Sequence, residues 1–129
     1  MSAYTIPAAD APAEEWGRLA KLIPDFRWMC GAIAVGCGRV LHVYTDGSCF
    51  IARHKILPDE MDLYPPDPDD PATAGCLLAL LGVGYAVATS KDEWVSIGSW
   101  PTLIGEGPSV GRACIAAAAA LGRWPGGSQ

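Results

Sequence analysis

The sequence contains no CxxC pair, although it holds five cysteines: Cys30, Cys37, Cys49, Cys76 and Cys114. An odd number at wide spacing fits neither a disulfide framework nor a short-spaced zinc site. Reduced thiols, buried as small hydrophobes, are expected. The N-terminus MSAYTIPAADAPAEEW lacks the basic and apolar regions of a signal peptide. The most apolar long stretch, Trp28 to Tyr44, is broken by Gly31, Gly36, Gly38 and Arg39. It falls short of a membrane span of about 20 apolar residues. The reading is a soluble, cytoplasmic protein with no membrane partner.

Basic charge is also scarce. Nine Lys and Arg face 14 Asp and Glu, giving a net charge of −5 and a pI of about 4.8. Direct nucleic-acid binding draws on clustered cations to neutralise phosphates, so this balance argues against it. A basic protein partner is compatible, because opposite fields steer encounter. With 129 residues, 50% hydrophobic and 18% charged, the chain suits a single folded domain over residues 1–129. Residues 1–10 and the Gly- and Pro-rich tail 123–129 are expected to be flexible.

The spacing predicts a first helix from Pro12 to Ile23. Glu14 and Glu15 favour its dipole, Glu14 and Arg18 form an i,i+4 pair, and Trp16, Leu19 and Ile23 share one face. Three strands follow, over Arg27–Val35, Arg39–Thr45 and Ser48–His54. Asp46-Gly47 reads as a two-residue turn, which sets Tyr44 opposite Cys49. That register puts Leu41, Val43, Phe50 and Ala52 on the core face. It puts Val40, His42, Tyr44, Cys49, Ile51 and Arg53 on the other.

A second helix is predicted over Pro71–Leu81, with Asp70 as N-cap and Gly82 as terminator. Cys76, Leu77, Leu80 and Leu81 form its stripe. A second hairpin spans Tyr85–Ser99, turning near Lys91-Asp92, with Ala86, Ala88, Val95 and Ile97 on one face. A last helix runs from Pro108 to Leu121. The order α-βββ-α-ββ-α implies a two-layer α+β fold: an antiparallel sheet of two meanders, with helices on one face.

Little here carries chemistry. Gly105-Glu106-Gly107-Pro108-Ser109-Val110-Gly111 fits no phosphate loop, lacks Lys, and reads as a turn and helix cap. Cys30, Cys37, Cys49 and His42 lack zinc spacing. His42 and Cys49 share a face in the predicted register, as a Cys–His nucleophile pair must, but no orienting group is at hand. No cofactor or metal is implied.

The densest charge feature is LPDEMDLYPPDPDDPATAGCLLALL, from Leu57 to Leu81, with six acids and five prolines. From Leu57 to Asp70, Pro58, Pro65, Pro66 and Pro68 forbid a helix interior and a central strand. The sharper reading is a partner-facing rim: acids Asp59, Glu60, Asp62, Asp67 and Asp69 around apolar anchors Met61 and Tyr64. The plainer reading is a solvated loop. A second candidate patch is Tyr85, Trp94 and Trp100.

Two strings carry a resemblance: Asp25-Phe26-Arg27-Trp28-Met29, and Asp70-Pro71-Ala72-Thr73-Ala74-Gly75-Cys76-Leu77-Leu78-Ala79-Leu80. The chain from Asp25 to Leu121 resembles a set of small acidic proteins encoded in bacteriophages and prophages. Gly82-Val83-Gly84 departs from that set. The resemblance implies phage origin and carries no catalytic residues. Taken with the acid run, whose carboxylates Asp59, Glu60, Asp62, Asp67 and Asp69 would stand in for phosphates, a phage origin suits a non-enzymatic accessory protein that binds a host protein with a basic groove, such as a CRISPR effector or another nucleoprotein. That is an anti-CRISPR-like inhibitor. The alternatives are an assembly factor that forms homodimers or larger homo-oligomers through the Tyr85–Trp94 face, and a small enzyme using Cys49 and His42.

Overall fold

The structure is a computed structural model that describes residues 4–82, 86–90, 94–99 and 102–126. Its element order is α1 (Ala13–Leu22), β1 (Ile33–Ala34), β2 (Gly38–Arg39), β3 (His42–Val43), β4 (Cys49–Ile51), β5 (His54–Ile56), α2 (Pro58–Met61), α3 (Pro71–Leu81), β6 (Ala86–Thr89), β7 (Val95–Ser99), β8 (Thr102–Gly107) and α4 (Val110–Leu121). The fold is α+β. Its strands divide into three small antiparallel sheets: the hairpin β1-β2 and the meanders β3-β4-β5 and β6-β7-β8.

Local chemistry fixes the helices. In α1, Glu14 and Glu15 lie in the first turn, and Arg18 meets Glu14 at 3.3 Å. Asp70 caps α3 by accepting the Thr73 amide at 2.9 Å, Pro71 opens the helix, and Gly82 ends it at φ 99°. Ser109 caps α4, accepting the Arg112 amide at 3.3 Å.

Two cores result. The larger joins α1, α3, α4 and the β6–β8 sheet through Trp16, Leu19, Leu77, Leu80, Val95, Ile97 and the alanine face of α4. Helix α4 is buried along most of its length, and small side chains let it lie close on β8. The smaller core is Ala34, Val40, Cys49, Ile51 and Met61, under the first two sheets.

The proline segment is a strap between the cores. Pro65, Pro66 and Pro68 are buried. The Val35 amide donates to the Pro65 carbonyl at 2.8 Å, and the Asp67 amide to Ile33 at 3.0 Å. The strap therefore adds an edge to β1, with Pro66 at the position that needs no N–H. Added methyls at Gly17 and Gly111 would collide with the carbonyls of Pro66 and Pro68, so only glycine lets α1 and α4 approach the strap this closely.

Several expectations are corrected. The first strand does not begin at Arg27; only Ile33–Ala34 forms a strand. The turn at Asp46-Gly47 has three residues. Gly47 donates to Tyr44 at 3.0 Å, its φ is 91°, and Ser48 donates to the Asp46 carboxylate at 2.9 Å. His42 thus pairs with Phe50 and Val43 with Cys49, one residue off the expected register. A slip of one exchanges the faces. Val40, Cys49 and Ile51 are buried, while Leu41 is 55% exposed and Ala52 is exposed.

The second hairpin slips likewise, pairing Val87 with Ile97 and Thr89 with Val95. Val95 and Ile97 are core as expected, but Ala88 is exposed on the other face. Its expected turn at Lys91-Asp92 lies outside the described residues.

Strands β5 and β8 were not anticipated. A two-residue turn at Ala52 (φ 50°) and Arg53 (φ 70°) leads into β5 without the usual Asn or Gly. In the tail expected to fray, Trp124 is fully buried, and its indole donates to Ala20 at 3.1 Å. At the other end, Ala8 accepts the Trp16 indole at 3.1 Å and Ala9 accepts Arg112 at 2.9 Å. Cys30 is exposed, contrary to its expected burial, whereas Cys49 and Cys114 are buried.

Candidate partner-binding face

The segment from Leu57 to Asp70 splits into two halves. Its first half is α2, a single turn opened by Pro58. One turn has one inward side, and Met61 takes it, at 1% exposure in the smaller core. Asp59, Glu60 and Asp62 are left on the outside, all exposed. Among the described residues, none of the three forms an ion pair. Lys21 of α1 fixes the far end of the turn, donating to the carbonyls of Met61 at 2.7 Å and Tyr64 at 2.9 Å. Burial pushes the Lys21 ammonium down, and Asp62 works against that shift.

Apolar side chains flank this acid turn. Leu57 is 52% exposed and Leu63 is 75% exposed. They are the exposed apolar side chains beside the acids, where Met61 and Tyr64 were expected. Met61 is a core residue, and Tyr64 is half-buried against the smaller core. The leucines were visible in the sequence on either side of the acids. They were missed because the stretch was read as a loop, which has no inward side to assign.

The second half is internally neutralised. Arg112, 8% exposed, donates to both Asp69 oxygens, at 3.0 Å from Nε and 2.8 Å from Nη2. Arg39 makes two bonds of 3.1 Å to Asp70. These guanidinium contacts hold both carboxyls below the usual carboxylate range. Asp67 is half-buried and accepts the Asp69 amide at 3.0 Å. Asp69 is therefore neutralised within the protein, and Asp67 braces the strap.

The remaining sequence candidates separate. His42 pairs with Phe50 on the outer face and stacks edge-on to Tyr44 at 4.7 Å. Cys49 lies on the opposite face in the core, where burial pushes its thiol up. The two are not brought together. Among the described residues, no three His, Cys, Asp or Glu side chains gather as metal ligands. Trp94 is half-buried, and its indole donates to Glu106 at 3.1 Å. It borders an apolar cleft of about 400 Å³ between the N-terminal segment, β8 and α4. Its expected companions, Tyr85 and Trp100, lie outside the described residues. The glycine segment after Ile104 is the end of β8 followed by the Ser109 cap. No helix of the described residues is long and apolar enough to cross a membrane.

No family model matches the chain, and neither a curated protein nor a solved structure does.

Proposed function

We propose that the chain is a non-enzymatic accessory protein of phage type that binds a basic groove on a host protein in the host cytoplasm, competing there with nucleic acid. The observation that carries this reading is the α2 turn. Asp59, Glu60 and Asp62 are exposed and carry no ion pair among the described residues, on a backbone pinned by Met61 below and Lys21 at its end. Three fixed carboxylates present anionic oxygens much as a strand's phosphates do, and pinning lowers the ordering cost of docking. Leu57 and Leu63 supply apolar contact at the margins. A CRISPR effector, or another nucleoprotein with a cationic channel, is the partner class this chemistry suits.

Capture from nuclease-treated bacterial lysate tests the reading. The wild-type chain is expected to retain a nucleic-acid-binding protein that the triple variant Asp59→Lys, Glu60→Lys, Asp62→Lys does not. Equal capture by both removes α2 from the mechanism.

A further inference from the structure

The sequence predicts a strand over Arg27–Val35 followed, after a loop of hairpin length at Gly36-Cys37-Gly38, by a strand over Arg39–Thr45. The pairing instead stops at Cys30. Gly31 still donates to Val40 at 2.8 Å, and the Cys30 thiol reaches the Leu41 carbonyl at 3.1 Å. Beyond that point the two stretches part. The cause lies behind them. Asp25 (φ 75°) turns the chain away and pairs with Arg123 at 3.1 Å, the Pro24 carbonyl accepts the Trp124 amide at 3.0 Å, and Phe26 packs edge-on against Trp124. The C-terminal segment thus holds Phe26–Cys30 off β3.

The gap is an open groove of about 700 Å³, bordered by Phe26, Arg27 and Trp28 on one side and His42, Val43 and Tyr44 on the other. It lies along the free edge of β3, the outer strand of its sheet. The Tyr44 amide donates to Ser48, so Tyr44 belongs to a hydrogen-bonded pair with β4. By the alternation of antiparallel ladders, the N–H and C=O of Val43 then point away from β4, toward the groove. Phe26 meets Trp28 edge-on at 5.5 Å, and His42 meets Tyr44 at 4.7 Å, so both walls carry ring pairs braced within the protein. The indoles of Trp16, Trp94 and Trp124 each donate to a protein acceptor. Among the described residues, the Trp28 indole and the exposed Arg27 guanidinium have none.

We propose that this groove takes a short extended peptide of a partner protein, which adds to β3 as a strand. Its backbone pairs with Val43. A proline or aromatic side chain enters between the ring pairs, and a carboxylate meets Arg27. The backbone pair at Val43 favours a peptide over other aromatic ligands, since a second main chain supplies the matching N–H and C=O. Among the described residues, the Trp28 and Arg27 donors, the second of them a cation, are without a protein acceptor and favour an acceptor-rich, acidic sequence. This site is separate from the acid turn.

Selection of random twelve-residue peptides against the immobilised full chain tests the proposal. The expected product is a peptide with Asp or Glu beside Pro or an aromatic residue. Fluorescence anisotropy of the synthetic peptide is expected to show at least tenfold weaker binding to Trp28→Ala and to Arg27→Glu. The exposed Arg27 variant keeps the test open if Trp28→Ala unfolds. N-methylation along the peptide backbone is expected to abolish binding at the single residue whose N–H meets the Val43 carbonyl and to be tolerated at its neighbours, a pattern that side-chain docking does not produce. The triple α2 variant is expected to bind the peptide unchanged, which separates failure here from failure of the acid-turn reading. No enriched peptide, wild-type binding by both groove variants, or no single residue sensitive to N-methylation overturns the proposal. Loss of peptide binding through concentration-dependent dimerisation also overturns it, assigning the edge to a second copy.

Discussion

Arg112 of α4 grips Asp69 of the strap across 43 positions of sequence, with bonds of 3.0 and 2.8 Å to the two carboxylate oxygens. The same guanidinium donates to the carbonyls of Ala9 and Ala11 and lies 5.9 Å over the Trp16 ring. One buried cation thus ties the N-terminal segment, α1, the strap and α4. Arg112→Ala strands Asp69 and two carbonyls, and is expected to cost about 3 kcal/mol. Asp69→Asn is expected to cost less, because its carboxylate is partly solvated. A double-mutant cycle by urea denaturation checks the coupling, and additive losses would rule it out.

Acid is expected to loosen the strap first. Asp69 and Asp70 bind protons less tightly in the folded chain than in the unfolded one. Their stabilisation is complete above the ordinary carboxylate range. It is lost as pH falls through the lowered folded values, because the unfolded state takes up protons first. Denaturation midpoints should fall between about pH 5 and pH 2, and the combined variant Asp69→Asn, Asp70→Asn should flatten that fall.

The acid turn predicts opposite outcomes for neighbouring residues. Met61→Ala empties a site that is 1% exposed and is expected to cost about 2–5 kcal/mol. The triple reversal of Asp59, Glu60 and Asp62 to Lys is expected to change stability by less than about 1 kcal/mol. Thermal melting of both variants distinguishes a core residue from a display surface. A large loss in the triple variant would place those acids in the fold.

The turn between β4 and β5 holds two side-chain-bearing residues at positive φ, Ala52 at 50° and Arg53 at 70°. L-residues lose about 1–2 kcal/mol in this region, a cost that glycine escapes and asparagine bears lightly. Ala52→Asn with Arg53→Gly is therefore expected to raise stability by about 1 kcal/mol. An unchanged or lower melting temperature would show that Arg53 makes a compensating contact.

Helices α1, α3 and α4 were legible because their signals are local, whereas the single turn of α2 was read as loop. Asp70-Pro71 and Gly82 bracket α3 within a dozen positions, and the acids and apolar spacing of α1 speak for themselves. The hairpins were legible as hairpins but not in register. Asp-Gly serves both a two-residue turn and the last positions of a three-residue turn, and the Asp46 carboxylate bond to Ser48 decides between them. Strand β5 was hidden because its turn lacks turn residues. Strand β8 was hidden because its glycines, which let α4 lie close, look like a loop. Of the acid run, composition disclosed the charge but not its division. Which carboxylates are spent inside depends on Arg39 and Arg112, whose placement is tertiary.

That division has a practical meaning for engineering. The outward positions of α2 hang from a turn whose backbone is secured by Met61 and Lys21, neither of which needs to know what projects beyond them. Such a turn behaves as a cassette: swapping its three outer side chains rewrites the epitope while the frame stays put.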